Sequence, residues 1–251
     1  MRPEGMPERE WLLRLDLAAC YRLVAWMGWS EMIFNHITLR VSEQGETPAY
    51  LINPYGLHYS EVTASNLVKV DIDGNKLDDS PWPINPAGFV IHSAIHSVRE
   101  DAHCILHLHT TAGMAVACKE EGLRPDNFYS AILNDRIAYH DFEGITTDLA
   151  EQSRLQASLG TKDILILRNH GTLVVAGDVP TAFHSAWTLE RACQVQMAAD
   201  SMSGPNRAIP ADVLARIPAQ RAPMRANQQQ PRRFIFDAML RHAGIVATDL
   251  A

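Results

Sequence analysis

The sequence predicts an α/β sandwich built as a single domain, with helices on both faces of a sheet that is in part antiparallel. Three observations carry this reading. Some segments place apolar residues at three- and four-residue steps, while others run as short apolar or alternating stretches, so both periods are present. Several strand-like runs are joined by connections too short for a helical crossover, which requires antiparallel pairing. Helical segments lie before and after those runs and would cover the two faces of the sheet.

The elements follow in order. From about Arg9 to Met27 the residues Leu12, Leu15, Ala19 and Leu23 recur at helical steps, and Gly28 is a stop. The runs "HITLRV", "AYLIN" and "LVKVDI" read as strands, the last ending in the turn signal "DGN". "GFVIHSAIHSV" is helical, and "CILHLH" is a strand. "TAGMAVACKEEG" is a helix stopped by Gly122, and "RIAYH" is a strand. "TDLAEQSRLQASLG" is a helix ending before Gly160, and "DILILRN" is a buried strand. A long helix starts at Asp178 as N-cap, with Pro180 in its first turn. After Ser203 the prolines 205, 210, 218, 223 and 231 and the run "NQQQPRR" interrupt regular structure. The chain therefore divides into a domain over 1–204 and a C-terminal arm over 205–251. The arm is extended over 205–231, with a short helix over 232–243.

Composition excludes several classes. With 251 residues, 47% hydrophobic and 20% charged, the chain is long enough for one large core or two small ones. The formal net charge of −7 argues against a nucleic-acid surface, which would be basic. No stretch reaches the length of a membrane span, and "MRPEGMPEREW" lacks the apolar core of a signal peptide. Cys20, Cys104, Cys118 and Cys193 form no C-x-x-C pair and sit in apolar surroundings. They read as reduced core residues of a cytoplasmic protein.

"CILHLHTTAG" carries the chemistry. On a strand, His107 and His109 project from the same face. Two imidazoles aimed at one point are half of a metal site, although two core histidines with separate partners would give the same pattern. His170 closes the strand of "ILILRNHG", where Gly171 allows a tight turn or a close approach. Three histidines at strand ends suit a catalytic metal site, which keeps an open coordination position.

"HLHTTAG" followed by "LILRNHG" resembles the class II aldolase/adducin family, and "FNHITLRV", "LINPYGLHYSEVTASNLVKVD", "NPAGFVIHSAIHSVREDAHCILHLHT", "AYHDFEG" and "LERACQVQ" agree in order and spacing. The resemblance covers roughly residues 10–202 and is nearest to the adducin head domain and its bacterial relatives. It implies an α/β/α fold with a central, mainly antiparallel sheet. It also implies one divalent metal, zinc, manganese or ferrous iron, on His107, His109 and His170, and a homotetramer with the arm reaching a neighbour.

The chain departs from the family's sugar-phosphate aldolases. Their Ser-Ser-Glu run, which binds phosphate and supplies the acid/base, is matched here by Pro86, Ala87 and Gly88. Their Thr-Gly loop is matched by Tyr55 and Gly56, and Asn35 matches an asparagine near the phosphate. A phosphate dianion needs several donors, and a general acid/base needs a titratable group in reach. Phosphosugar cleavage is therefore not expected, while Asn35, Tyr55, Gly56 and Gly88 remain the substrate-binding candidates. Tyr129 falls near the position of a proton-donating tyrosine. His58 is either a pocket residue or a surface one. His92 and His96 share a helix face and are assigned to packing behind the site, and His140 with Asp141 to a structural pair or an interface.

Three functions fit these residues. The first is a metal-dependent lyase that breaks a carbon–carbon bond in a small hydroxy, keto or aromatic acid, by aldol cleavage or decarboxylation. The second is a mononuclear non-haem iron oxygenase acting on an aromatic or keto acid. The third is a non-catalytic, adducin-like assembly module.

Overall fold

The computed structural model describes residues 2–43, 45–144, 149–225 and 229–251. Helix α1 (Glu8–Trp26) leads into strands β1 (His36–Arg40), β2 (Tyr50–Ile52) and β3 (Val68–Val70). Helix α2 (Pro86–His96) precedes β4 (Cys104–Leu108), which is followed by α3 (Thr111–Ala117) and α4 (Phe128–Leu133). Then come β5 (Ile137–His140), α5 (Glu151–Leu159), β6 (Ile164–Leu167) and β7 (Gly171–Ala176). Three helices end the chain: α6 (Val179–Asp200), α7 (Ala211–Arg225) and α8 (Gln229–Ala243). Residues 147 and 148, where the sequence begins the fifth helix, lie outside the described residues.

The seven strands form one sheet in the order β3-β2-β1-β4-β7-β6-β5. Every pair is antiparallel except β5 with β6, which are joined through α5 as a parallel pair requires. Side chains alternate across the sheet. Ile37, Leu39, Cys104, Leu106, Leu108 and Val174 enter a core with α1, α3, α6 and α8. Ile105, Leu165, Leu173 and Val175 enter a second core with α2 and α5. The fold class read from the sequence is thus the one observed.

Several features depart from the sequence reading, among them α4, for which the sequence reading had no element, and α3, which ends at Ala117 and not before Gly122. Strand β7 was not anticipated, because the hairpin turn before it, Arg168–Asn169–His170, lacks the usual Asn-Gly or Asp-Gly signal. It is buried along its whole length. Helix α7 replaces part of the extended arm expected over 205–231, and Pro218 and Pro223 stand inside it. Cys118, taken as a core residue, is exposed at the end of α3. The arm is also not free of its own domain. Helix α8 seats Phe236 fully buried beside Phe183 of α6, with ring centroids 5.6 Å apart, and Arg233 forms an ion pair with Asp16 of α1 at 2.6 Å. No helix among the described residues is long and apolar enough to cross a membrane.

If α8 is part of the core, Phe236→Ala should lower unfolding free energy by about 3–5 kcal/mol, the usual range for a buried aromatic. Phe234→Ala, at a position 61% exposed, should be nearly neutral. Denaturant midpoints of the two variants check this.

Candidate metal centre

His107 is the fourth residue of β4 and lies on the α2 face, two residues from Ile105. In the sheet register it stands opposite His36 of β1 and Leu173 of β7. His109 follows just beyond the strand. The next residue, Thr110, caps α3 by accepting from the Gly113 amide at 3.2 Å, and its hydroxyl donates to the buried carboxylate of Glu190. The chain after His109 is thereby fixed on both sides. His170 sits in the β6–β7 turn, held by its amide to Leu167 O at 3.1 Å, with Asn169 in the left-handed region at φ +56°. Asparagine tolerates that conformation better than other side chains.

The three imidazoles form a near-equilateral triangle, with ring centroids 4.6, 4.9 and 4.8 Å apart. One nitrogen from each lies within 4.8 Å of the others. His107 donates from Nδ1 to Thr172 O at 3.0 Å. That fixes its tautomer and leaves Nε2 as a lone pair, 2.8 Å from Nε2 of His109. Burial holds His107 well below its ordinary pKa, lowers His109 and brings His170 to about 4. Neutral, converging imidazoles with one tautomer set by a backbone carbonyl fit a divalent metal.

Gly171 makes the convergence possible. A Cβ there would lie 2.5 Å from the Leu108 carbonyl oxygen and 2.8 Å from the His109 ring. The hairpin could not then approach β4.

The triangle forms one side of a cavity of about 370 Å³. Phe34, Tyr55, Ile91 and Phe142 make its apolar wall, and Asn35, His36, Asn85 and Gly88 stand among them. Its described lining has no lysine, arginine, aspartate, glutamate, serine or threonine. Behind it runs a row of buried histidines. Thr38 Oγ1 lies 2.7 Å from His92 Nδ1 and 2.8 Å from His96 Nε2, and His96 Nδ1 donates to Ala102 O at 2.8 Å. The carbonyl fixes the proton of His96, so the threonine hydroxyl donates to His96 and accepts from His92.

Of the residues singled out in the sequence, Asn35, Tyr55, Gly88, His107, His109 and His170 meet at this cavity. Gly56 does not. It turns the chain at φ +117° beside Trp82. Tyr129 is also absent from the described lining of this one chain and packs against Phe128 and Trp187. His58 is occupied by Ser30 and Ser60 and caps a short turn. His140 bonds Ser158 and faces Glu151, while Asp141 is exposed near Arg168. The side chain of Ala87 lies outside the described residues. Sequence reasoning missed His36, Phe34, Asn85 and Phe142. For His36 a signal existed, since "NHIT" alternates and places it on the face of Thr38. Its pairing opposite His107 is set by sheet register alone.

The model of the Class II Aldolase and Adducin N-terminal domain matches residues 15–197. The chain belongs to that family. An aldolase II superfamily protein of solved structure from Pseudomonas syringae is 41% identical over 95% of this chain and 94% of its own, with a TM-score of 0.88. Alpha-adducin of Mus musculus is 47% identical over 75% of this chain, which spans 26% of that longer protein. The structure of an L-fuculose 1-phosphate aldolase from Glaciozyma antarctica PI12 is 28% identical, covering 97% of this chain and 95% of its own, with a TM-score of 0.79. The family thus joins metal-dependent lyases to adducins.

Replacing His107 or His109 by Ala should abolish stoichiometric zinc binding while the circular dichroism spectrum stays native. Gly171→Ala should lose zinc as well and cost about 1–3 kcal/mol of stability by overpacking. Gly177→Ala, where a Cβ meets nothing within 4 Å, should do neither. Metal analysis and thermal melts separate these outcomes.

Burial also brings His36 and His96 down to about 3. Between pH 6.5 and about 3 the unfolded chain binds protons that the folded chain does not. Stability of the metal-free protein should therefore fall as pH drops through that window, by about 1.4 kcal/mol per pH unit for each such histidine. A flat urea midpoint from pH 6.5 to about 4 would count against the burial of these rings.

Proposed function

We propose that this chain is a metal-dependent lyase that breaks a carbon–carbon bond in a small hydroxy, keto or aromatic acid and does not act on sugar phosphates. One observation carries the reading. A three-imidazole cluster opens onto a cavity whose described lining is aromatic and holds no cation, carboxylate or aliphatic hydroxyl. His107, His109 and His170 would hold the ion. A divalent ion bound there supplies positive charge and Lewis acidity to a chelating substrate oxygen.

The rest follows from the chain's own groups. Three neutral imidazoles leave the full charge of the ion to an anionic substrate. A carboxylate chelating the ion needs no further cation from the protein, whereas a phosphate dianion is ordinarily held by cationic or hydroxyl groups, and the described lining has neither lysine, arginine, serine nor threonine. Phe34, Tyr55, Ile91 and Phe142 suit an apolar or aromatic remainder. Gly88 stands where the aldolases carry their acid/base. Decarboxylation is the variant that accommodates its loss best, since carbon dioxide leaves without the hydroxyl deprotonation that aldol cleavage needs, and the carbon left behind takes its proton from water.

The test is to load metal-free protein with zinc, manganese or ferrous iron and to offer hydroxylated aromatic acids and aryl keto acids, with and without air. Turnover without air on zinc or manganese supports the lyase. Turnover that needs ferrous iron and consumes oxygen replaces it with the oxygenase, and none with any metal favours the assembly module. Fuculose or rhamnulose phosphate should not be cleaved at about 1 s⁻¹ or above, an ordinary enzymatic rate. The same reading takes the chain as a homotetramer, and a monomer mass by light scattering at micromolar concentration would count against it.

A further inference from the structure

Position 88 is a glycine for a steric reason. A Cβ there would stand 2.6 Å from both Cε1 and Nδ1 of His36. The imidazole of His36, delivered from β1, fills the space that a side chain at 88 would need. The positive φ of Asn35, +67°, turns the chain into the strand just before it.

Both polar atoms of the Asn35 carboxamide are buried without a hydrogen-bond partner, and the buried His36 ring makes no well-formed bond, its nitrogens having only the backbone of Gly88 and Asn35 nearby. Each residue is only 3% exposed, and each lines the cavity of the histidine triangle. Buried polar atoms are nearly always paired, so an unpartnered carboxamide beside a poorly satisfied imidazole on one wall marks the place where a bound molecule supplies partners.

The chemistry of that wall selects the molecule. A neutral imidazole offers one N–H and one lone pair, and a carboxamide offers donors and an acceptor. The described lining has no carboxylate to hold an imidazolium. A phosphate or a second carboxylate only accepts, so it can take the N–H groups but leaves the lone pair of His36 and the carbonyl of Asn35 without a donor. A hydroxyl both donates and accepts, and it satisfies either group.

We propose that Asn35 and His36 form a hydroxyl-recognising subsite beside the metal centre, so that the ligand is a metal-chelating acid carrying one further neutral hydroxyl. The proposal rests on the reading of the cavity as a metal centre for small acids.

The experiment is calorimetric titration of zinc-loaded protein with salicylate and the dihydroxybenzoates that add one hydroxyl to it, and with lactate and glycerate. In at least one series the added hydroxyl should tighten binding by about tenfold, the value of one well-made hydrogen bond. His36→Ala and Asn35→Ala should each remove that preference, read as the ratio of the two affinities in the same variant, while zinc stoichiometry stays. His36→Phe, which keeps a ring in the space, gives the same readout if the alanine variant folds poorly. Gly88→Ala should mimic His36→Ala and add nothing to it in the double variant. If the parent acids bind and neither series shows a preference, or the preference survives in the variants, the subsite is overturned alone. If none of these acids binds zinc-loaded protein, the acid-binding reading of the metal centre falls and takes the subsite with it.

Discussion

The contact between the β6–β7 hairpin and the end of β4 is the constraint on which the rest of the centre depends. Gly171 has no side chain, so the hairpin lies against the Leu108 carbonyl and the His109 ring. That approach brings His170 to the pair on β4 and places Thr172 O where it fixes the proton of His107. The three imidazoles are therefore brought together by strand pairing that also builds the core. His107 stands on a strand, and His109 and His170 stand in the short segments that this pairing fixes in place.

Behind the centre, β1 and α2 contribute a second set of histidines that are neutral for the same reason, burial. His92 and His96 stack into the space between sheet and helix and share the hydroxyl of Thr38. His36 stands between them and the triangle, 4.1 Å from the His92 ring and 5.3 Å from the His107 ring, measured between centroids. Protonating any of these rings would bury a charge without a counterion, and that cost keeps the whole layer uncharged near neutral pH. A cavity floor without net charge leaves a bound cation to set the local field.

The opposite face of the sheet holds the larger core, and the C-terminal helices belong to it. Phe236 of α8 enters beside Phe183, and the Leu250 carbonyl accepts from the Ala64 amide at 2.7 Å. The prolines of residues 205–231 suggested an extended arm. Proline removes one donor and biases the preceding residue, yet a helix of 15 residues tolerates two of them at the surface here. What the composition of this segment did not reveal was the partner surface on α1 and α6 that α8 needed.

The sequence by itself determined the elements whose information is local. The alternation of "ILHLH" put two imidazoles on one face, Asp178 caps α6 through the Thr181 amide at 2.7 Å, and "RNHG" placed a histidine in the turn that follows a buried strand. The strand-end position marked His170 as a third candidate, the family resemblance added to that reading, and the structure gives the distances within the triangle. Tertiary structure alone decided which residues meet across strands. No spacing along the chain links His36 to His107, places Gly88 against His36, or leaves Tyr129 outside the cavity of its own subunit. The physical reason is that strand order and register are fixed by burial on both faces of the whole sheet at once. A short-range pattern records which face a side chain takes and leaves open which neighbour it finds there.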